Sequence, residues 1–318
     1  MELIRGVPNI RPRHHGCVAS VGNFDGVHLG HQAVLRQLLD ASARHQIPST
    51  AIIFEPQPAE YFHPAGHAPR LTAVREKLML FQQFGIDRVC VMRFNEHFAT
   101  QSAEEFAAST LVDGFGIREL IIGDDFKFGS ARGGDFFALQ EFGKRYGFTV
   151  LRTHSHILNG ERVSSTAVRQ KLIDGNFVGA EAFLGRRYFI AGRVMHGQHR
   201  GREIGFPTVN LNLNRRRAPL NGIYASYVRG LGNVLLPSVS YVGSRPVIED
   251  PTYLLETHIF DFDEDCYGRQ LLVEFVEKVR GDLPFESFEK LREQIVIDCA
   301  AARKILGLKP ERKHVDDA

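Results

Sequence analysis

Short apolar runs alternate with helix-type periodicity along the first half of the chain. The apolar runs are Cys17 to Val21, Thr50 to Phe54, Arg88 to Phe94, Glu119 to Ile122 and Thr149 to Leu151. Runs of this length are typical of buried parallel strands, and the periodic segments between them predict crossover helices. The pattern therefore predicts a doubly wound α/β domain.

Two of the predicted helices carry boundary signals. Thr72 precedes the periodic stretch AVREKLMLFQQF, which Gly85 ends. Ser102 stands three residues before Glu105, which is the spacing of a capping box.

The pattern changes after Leu184-Gly185-Arg186-Arg187, where strand-type runs follow one another without helices between them. These runs are Tyr188 to Val194, Ile223 to Val228, Val234 to Val242, Leu254 to Phe262 and Leu271 to Val279. Consecutive strands of this kind predict an antiparallel β-barrel, and one helix from about Phe285 to Leu306 follows it. We therefore expect two domains, 1–186 and 187–318, with disorder only in the ERKHVDDA tail.

Composition narrows the classes of function. The 318 residues include 39 Lys and Arg against 37 Asp and Glu, a balance that argues against a dedicated nucleic-acid or membrane surface. No run of about 18 apolar residues and no signal-peptide pattern occurs. Four widely separated cysteines form no C-x-x-C pair. We expect a cytoplasmic protein with reduced thiols and no nucleic-acid or membrane partner, and protein partners stay open.

The first candidate site is the segment Gly22-Asn23-Phe24-Asp25-Gly26-Val27-His28-Leu29-Gly30-His31, between the strand CVASV and a predicted helix. A glycine-rich entry to a helix brings backbone N–H groups and the positive end of the helix dipole to a phosphate. His28 and His31, three residues apart, share one face of that helix entry and can donate to phosphate oxygens. The simpler alternative is a helix-entry turn with two incidental histidines.

This segment resembles the H-x-G-H signature of the nucleotidyltransferase superfamily and, in its longer form, the adenylyltransferase half of bacterial bifunctional riboflavin kinase/FAD synthetases. Further matching segments follow in the expected order: Phe54 to Pro58, Arg70 to Thr72, Gly123 to Gly129 and Val163 to Arg169. The resemblance implies a Rossmann-like domain in which the FMN phosphate attacks the α-phosphate of ATP. It implies catalytic roles for His28 and His31, and an ATP site that includes Gly22, Asn23, Phe24 and Gly30.

Two other segments extend this site. A hydroxyl cluster at a helix start with an arginine one turn later suits the departing pyrophosphate; its members are Ser164, Ser165, Thr166 and Arg169. The alternative for this cluster is simple N-capping by Ser165. Asp125, Phe126, Phe128 and Arg132 are candidates for flavin contacts, and packing of the two phenylalanines in the core is the alternative.

The second candidate site begins at Gly205-Phe206-Pro207-Thr208-Val209-Asn210, after a basic, glycine-rich stretch from His196 to Ile204. Thr208 and Asn210 stand two apart in an extended segment, so their oxygens lie on one side and suit a Mg²⁺ that also holds ATP phosphates. A turn with a solvated basic face is one alternative. A weak nucleic-acid patch extended by Arg215, Arg216 and Arg217 is another.

This segment resembles the riboflavin kinase signature, and the companion segments Gly222 to Ala225, Val242 to Pro246 and Leu255 to Phe262 follow in order. The resemblance implies a small antiparallel barrel with a C-terminal helix. Glu256 is then the base for the ribityl 5′-hydroxyl; Gly197, Arg202 and Gly205 contact ATP; and Arg280 and Phe285 contact flavin. The alternatives are a solvent-facing carboxylate for Glu256 and, for the C-terminal segment, an amphipathic helix that caps the barrel. The chain departs from the family pattern at Gln57, Val247 and 281–284.

Together these resemblances predict an enzyme that phosphorylates riboflavin with ATP and then adenylylates FMN to FAD, with Mg²⁺ serving both steps. ATP is the co-substrate, and FMN and FAD are the products. A flavin-binding sensor or RNA-interacting protein without turnover is one alternative, and a nucleotidyltransferase with another phosphate acceptor is a second.

Overall fold

The computed structural model describes residues 1–196, 205–213, 215, 217–245 and 252–309. These residues form two compact units. The first comprises Met1–Ala68 and Val74–Ser165, and the second comprises Pro69–Ala73 and the described residues from Thr166 onwards. The domain boundary expected at 186/187 stays a prediction.

The first unit is built on a six-stranded, all-parallel sheet with the order β1-β4-β3-β2-β5-β6. Its strands are β1 (Glu2–Arg5), β2 (Cys17–Val21), β3 (Ser49–Glu55), β4 (Arg88–Arg93), β5 (Ile117–Gly123) and β6 (Thr149–Thr153). The Rossmann-like prediction is confirmed, and all five predicted strands are present. The edge strand β1 was not predicted, because four residues with a single buried position give no readable period.

Helices connect these strands, and a two-stranded hairpin of β7 (Ile157–Leu158) and β8 (Glu161–Arg162) follows β6. The α-helices that lie within the first unit are α1 (Leu29–His45), α2 (Pro58–Phe62), α3 (Val74–Phe84), α4 (Glu96–Thr100), α5 (Ala103–Phe106), which a π-helix (Ala107–Gly114) continues, and α6 (Phe136–Tyr146). The predicted capping box is confirmed at α5: the Ser102 hydroxyl accepts from the Glu105 N–H at 3.1 Å, and the Glu105 carboxylate accepts from the Ser102 N–H at 2.7 Å.

The second unit contains a closed antiparallel barrel with the order β10-β13-β12-β11-β14-β9. Its strands are β9 (Phe189–Met195), β10 (Val209–Asn212), β11 (Gly222–Arg229), β12 (Leu236–Arg245), β13 (Thr252–Ile259) and β14 (Gln270–Arg280). Helix α7 (Ser165–Ile173) begins at the last residue of the first unit, and α8 (Phe177–Leu184) and the C-terminal α9 (Phe288–Ile305) belong to the second. The predicted barrel and C-terminal helix are confirmed.

Alternation along the strands sets the inner and outer faces of the barrel. Leu271, Val273 and Phe275 are buried and alternate with half-buried neighbours, as their pattern predicts. The interior also holds four fully buried hydroxyls joined by hydrogen bonds of 2.7 to 2.8 Å: Ser226, Ser238, Ser240 and Thr257. A residue whose two neighbours along the strand point into this interior therefore has its own side chain on the outer face of the barrel.

Within the described residues, no helix has both the length and the apolar character needed to cross a membrane. The four cysteines are free and buried.

Candidate active sites

The first candidate site lies where the chain leaves β2 and enters α1. The chain runs outward from β2 to β3 and β4, and it returns to the other side of β2 with β5. Ligands of open α/β sheets bind outside the carboxyl ends of the strands at such a reversal. The glycine-rich segment after β2 and the Asp125 segment after β5 both follow strands that flank this point.

The loop after β2 has an unusual backbone. Phe24, Gly26 and Val27 have positive φ angles of 48°, 84° and 43°. A β-branched residue such as Val27 is strained in this region, and such strain persists only where the surroundings enforce it. Gln32 provides one restraint, since its side-chain amide donates to the Val27 carbonyl at 3.0 Å. Sequence reasoning did not single out Gln32.

Phe24 is a packing residue of this loop. Its ring is 2% exposed and meets the Phe81 ring edge-on at a centroid distance of 5.3 Å. A Cβ at Gly22 would lie 3.2 Å from the Phe24 ring, so the glycine leaves room for it. Phe24 is one of the predicted ATP contacts, and with its ring buried only its backbone is available to a ligand. The neighbouring Asn23, another predicted ATP contact, is exposed.

The structure brings His28 and His31 together. Nδ1 of His28 accepts from the backbone N–H of His31 at 3.3 Å, so His28 caps α1, and the two rings stack at 3.7 Å. Because Nδ1 accepts, the neutral His28 ring carries its proton on Nε2. A Cβ at Gly30 would lie 3.1 Å from Cε1 of His28. The glycine thus gives the His28 ring its space at the positive end of the helix.

The serine cluster lies at the beginning of α7. The Ser165 hydroxyl donates to the Asp25 carbonyl at 2.8 Å, which ties the loop after β2 to this segment. Ser164 is half-buried beside it. Thr166 and Arg169 belong to the second unit, where Nε of Arg169 donates to the Pro69 carbonyl at 2.7 Å.

The flavin candidates after β5 divide into core and surface residues. Phe128 is buried in the core, and the half-buried Phe126 stacks on it at 5.5 Å. Asp125 and Arg132 are exposed. Arg162 of the β7–β8 hairpin, which sequence reasoning missed, contacts both Asp125 and its neighbour Asp124 at 2.9 Å. Core packing thus describes Phe128 and, in part, Phe126, whereas Asp125 and Arg132 lie at the surface.

The second candidate site is defined by strand register. Asn210 of β10 lies directly opposite Glu256 of β13. Their neighbours Leu211 and Leu255 are buried in the barrel, so Asn210 and Glu256 share the outer face. Directly opposed residues place their Cβ atoms about 4.5 to 5.5 Å apart. The predicted metal ligand and the predicted base are therefore neighbours, and Thr208 precedes Asn210 by two residues on the same side.

His258 fixes the segment before β10. Its Nδ1 lies 2.8 Å from the Pro207 carbonyl, and since a carbonyl only accepts, the ring donates. Phe206 packs edge-on against the same ring at 5.6 Å. The contact between His258 and Pro207 was not predicted, because these residues are 51 positions apart and meet only through the pairing of β10 with β13.

The row of opposed outer-face residues continues beyond Glu256. Glu256 faces Tyr241 of β12, Tyr241 faces Ile223 of β11, and Ile223 faces Arg280 of β14. Arg280 lies 5.6 Å from the Phe285 ring, so the two predicted flavin residues of the barrel are in contact.

Asp298 of α9 anchors Arg280. Nε and Nη2 of Arg280 donate to the Asp298 carboxylate at 2.9 and 2.7 Å, and the Gln294 amide donates to it at 2.9 Å. A bidentate pair of this kind fixes the plane of the guanidinium.

Two adjacent cavities lie in the second unit, of about 470 and 270 Å³. Both are lined by Lys278 and Gly281, and the smaller also by Asp282. Neither is lined by Asn210 or Glu256, so we do not place the chemistry in them; they border the loop that follows Arg280.

The remaining predicted residues have varied positions. Gly197, Arg202 and Val247 lie outside the described residues, and Gly205 is exposed with a φ of 85°. Arg215, which was considered as an extension of a nucleic-acid patch, is half-buried and donates to the Leu71 carbonyl at 3.4 Å, and Arg216 lies outside the described residues. Gln57 is buried at the start of α2, and its side-chain nitrogen makes no hydrogen bond within the described part of the chain. Among the described residues no group of three or more His, Cys, Asp or Glu is arranged to hold a metal.

Comparison with known proteins adds two family matches. Residues 10–167 match the FAD synthetase family, and residues 184–306 match the riboflavin kinase family. A bifunctional riboflavin kinase/FMN adenylyltransferase of Escherichia coli strain K12 is 43% identical over 309 residues, covering 97% of this chain and 99% of that protein. One of the same description from Pseudomonas fluorescens is 45% identical over 306 residues, covering 96% and 98%.

A solved structure resembles the chain over most of its length. It comes from Streptococcus pneumoniae, is described as a macrolide-efflux protein, and has a TM-score of 0.77 at 27% identity, covering 95% of this chain and 99% of that one. The description names efflux, whereas both sequence families name flavin chemistry.

Proposed function

Because the chain belongs to the family of bifunctional riboflavin kinases/FMN adenylyltransferases, we propose how its residues divide the two reactions. Riboflavin kinase and FMN adenylyltransferase are the activities of this enzyme, and riboflavin, FMN and ATP are their substrates. The kinase belongs to the barrel region, and the adenylyltransferase to the region of the parallel sheet.

In the kinase reaction, Glu256 takes the proton of the ribityl 5′-hydroxyl as its oxygen attacks the γ-phosphate of ATP. The bond from the γ-phosphorus to the β,γ-bridging oxygen breaks, and ADP leaves. General-base assistance of this kind is worth about 10² to 10⁴ in rate. The pairing of Asn210 with Glu256 supports this assignment, because it puts an amide beside the carboxylate on one face.

Thr208 and Asn210 fit a hard cation, since a hydroxyl and an amide carbonyl are oxygen donors and both are half-buried on the Glu256 side of the strand. Bound there, Mg²⁺ would neutralise charge on the ATP phosphates. His258 contributes by holding the Pro207 carbonyl, which fixes the backbone just before Thr208. We extend the proposal of Mg²⁺ to the adenylyl transfer as well.

In the adenylyl transfer, an FMN phosphate oxygen attacks the α-phosphorus of ATP, and the bond to the pyrophosphate breaks. His28 and His31 lie at the amino end of α1, where donors stabilise the negative charge that develops on the α-phosphate. We assign Ser164 and Ser165 to the pyrophosphate, and the hydrogen bond from the Ser165 hydroxyl to the Asp25 carbonyl supports this assignment because it ties their segment to the loop after β2. The roles of Thr166 and Arg169 on the same helix stay predictions.

The four free, buried thiols also support a cytoplasmic location for the enzyme.

Purified protein incubated with riboflavin, ATP and Mg²⁺, with products separated by liquid chromatography, tests the function. We expect FMN first and FAD afterwards. Unchanged riboflavin would indicate a binding protein without turnover. FMN that accumulates without FAD would favour another phosphate acceptor for the adenylyl transfer.

A further inference from the structure

Tyr241 occupies the position next to Glu256 on the outer face of the barrel. The two residues lie directly opposite each other in the β12–β13 pair. Ser240 and Val242, on either side of Tyr241, are fully buried in the interior, so the Tyr241 side chain points outward with Glu256. None of the sequence motifs includes Tyr241.

The Tyr241 ring lies along the strand over Gly243. A Cβ at Gly243 would lie 2.1 Å from the Tyr241 hydroxyl oxygen and 2.3 Å from the adjacent ring carbon. No side chain fits there unless the ring moves. Residues i and i+2 of a strand share a face, and the glycine therefore gives the ring the space to lean away from Glu256.

The hydroxyl of Tyr241 reaches the loop that follows Arg280. It donates to Oδ2 of Asp282 at 3.2 Å, while Oδ1 of Asp282 accepts from the Leu283 N–H at 3.0 Å. Burial of the ring and the nearby Asp282 carboxylate raise the pKa of Tyr241 to about 12, so the phenol keeps its proton.

The same loop is held from its other end by Arg280. Nη1 of Arg280 donates to the Gly281 carbonyl at 2.8 Å, and Asp298 holds the rest of the guanidinium. Residues 281–284 are thus fixed by Arg280 on one side and by Tyr241 on the other, directly before Phe285.

We propose that Tyr241 is a positioning residue of the riboflavin kinase site, which holds the loop 281–284, between the flavin residues Arg280 and Phe285, in register with Glu256 through Asp282. The proposal rests on the proposed function of the barrel as the riboflavin kinase and on the assignment of Arg280 and Phe285 as flavin contacts. Tyr241 acts on riboflavin binding and takes no part in proton transfer or ATP binding.

Tyr241→Phe tests this directly, because it removes the hydroxyl and leaves the ring over Gly243. We expect the riboflavin KM to rise about 3- to 10-fold, the range of one lost hydrogen bond, with kcat and the KM for ATP within about twofold of the wild type. Tyr227→Phe is the matched control. It lies on the outer face of the same barrel, with Pro237 and Glu274 as register partners, and should leave the riboflavin KM unchanged.

A double-mutant cycle with Asp282→Ala separates the link from a general loosening. If the hydroxyl acts through Asp282, the double variant should raise the riboflavin KM no more than the larger single effect. Gly243→Ala should give the same rise, because its Cβ displaces the ring, and should add nothing in a Tyr241→Ala background. FMN adenylylation from added FMN should stay at the wild-type rate in every variant.

The outcomes are decisive. A riboflavin KM unchanged in Tyr241→Phe, or effects of Tyr241→Phe and Asp282→Ala that multiply, would overturn the proposal. If Glu256→Gln kept the wild-type kcat while Tyr241→Phe raised the riboflavin KM, the base assignment would fail and the loop proposal would stand.

Discussion

Asn210 and Glu256 form a directly opposed, non-sequential pair across β10 and β13, with Leu211 and Leu255 buried beside them. Neither residue is informative alone, since an outward amide and an outward carboxylate are common on strands. Their pairing puts the proposed metal ligand and the proposed base on one surface.

Asn210→Ala should lower kcat for FMN formation at least 100-fold, because the β-carbon that remains offers no oxygen to a cation near Glu256. FMN-to-FAD conversion should stay within about twofold. Chromatographic assays of each half-reaction measure both. Loss of both activities in a variant that keeps the wild-type circular dichroism would contradict separate sites.

His28→Ala should lower FAD formation from FMN about 10² to 10³ fold, the effect of removing one donor to a developing charge, while FMN accumulates. His97→Ala is the matched control, since His97 is exposed on the short helix α4 of the same unit. If His28→Ala produced FAD at the wild-type rate, the assignment of the adenylyl transfer to the site after β2 would be wrong.

Gly30→Ala should separate stability from activity. Glycine within a helix costs about 1 kcal/mol relative to alanine, so the substitution favours α1. Its Cβ, however, would stand 3.1 Å from the His28 ring and displace it from the stack with His31. We expect about 10-fold slower adenylyl transfer at an unchanged or higher Tm. Gly66→Ala, whose Cβ meets nothing within 4 Å, should change neither.

Glu2 predicts part of the acid sensitivity of the first unit. Hydrogen bonds from Arg13 and His14 lower the pKa of Glu2 from 4.5 to about 2. Between these values the unfolded state binds the proton and the folded state does not, so stability rises with pH in this window. The stabilisation is full above about pH 4.5 and is lost as the pH falls through 2.

Thermal unfolding of the wild type and Glu2→Gln measures this contribution. The Tm difference between them should shrink as the pH falls from 5 to 2.5, and its size should correspond to less than about 1 kcal/mol, because the Glu2 side chain is 37% exposed. A Tm difference that does not depend on pH would show that the ion pairs do not contribute to stability.

The hydrophobic pattern was sufficient to predict strands that are buried along their whole length, such as β2, or at alternate residues, such as β14. The hydrophobic pattern did not predict β10, because Pro207 and the polar Thr208 and Asn210 interrupt the apolar signal of a strand that nevertheless pairs with β13 along its whole length. The segment was predicted to be extended, but its partners were not.

The contacts between distant residues lay beyond sequence reasoning for a physical reason. Tyr241 and Asp282 are 41 residues apart, and Arg162 and Asp125 are 37 apart. Each meeting depends on strand register and loop direction, neither of which leaves a local signature. The resemblance predicted roles for Glu256 and His28, whereas the contacts that hold the segments around them depend on the three-dimensional structure.

The four hydroxyls enclosed by the barrel bear on how the enzyme excludes misassembled forms. Ser226, Ser238, Ser240 and Thr257 satisfy one another across three strands. Because side chains alternate between the two faces of a strand, a shift of β13 by one residue would leave these buried hydroxyls without hydrogen-bond partners. The same shift would bury the Glu256 carboxylate in the interior of the barrel. A barrel with the wrong register is thus destabilised by its own interior, and a chain that folds with the native register has the Glu256 carboxylate on the outer face.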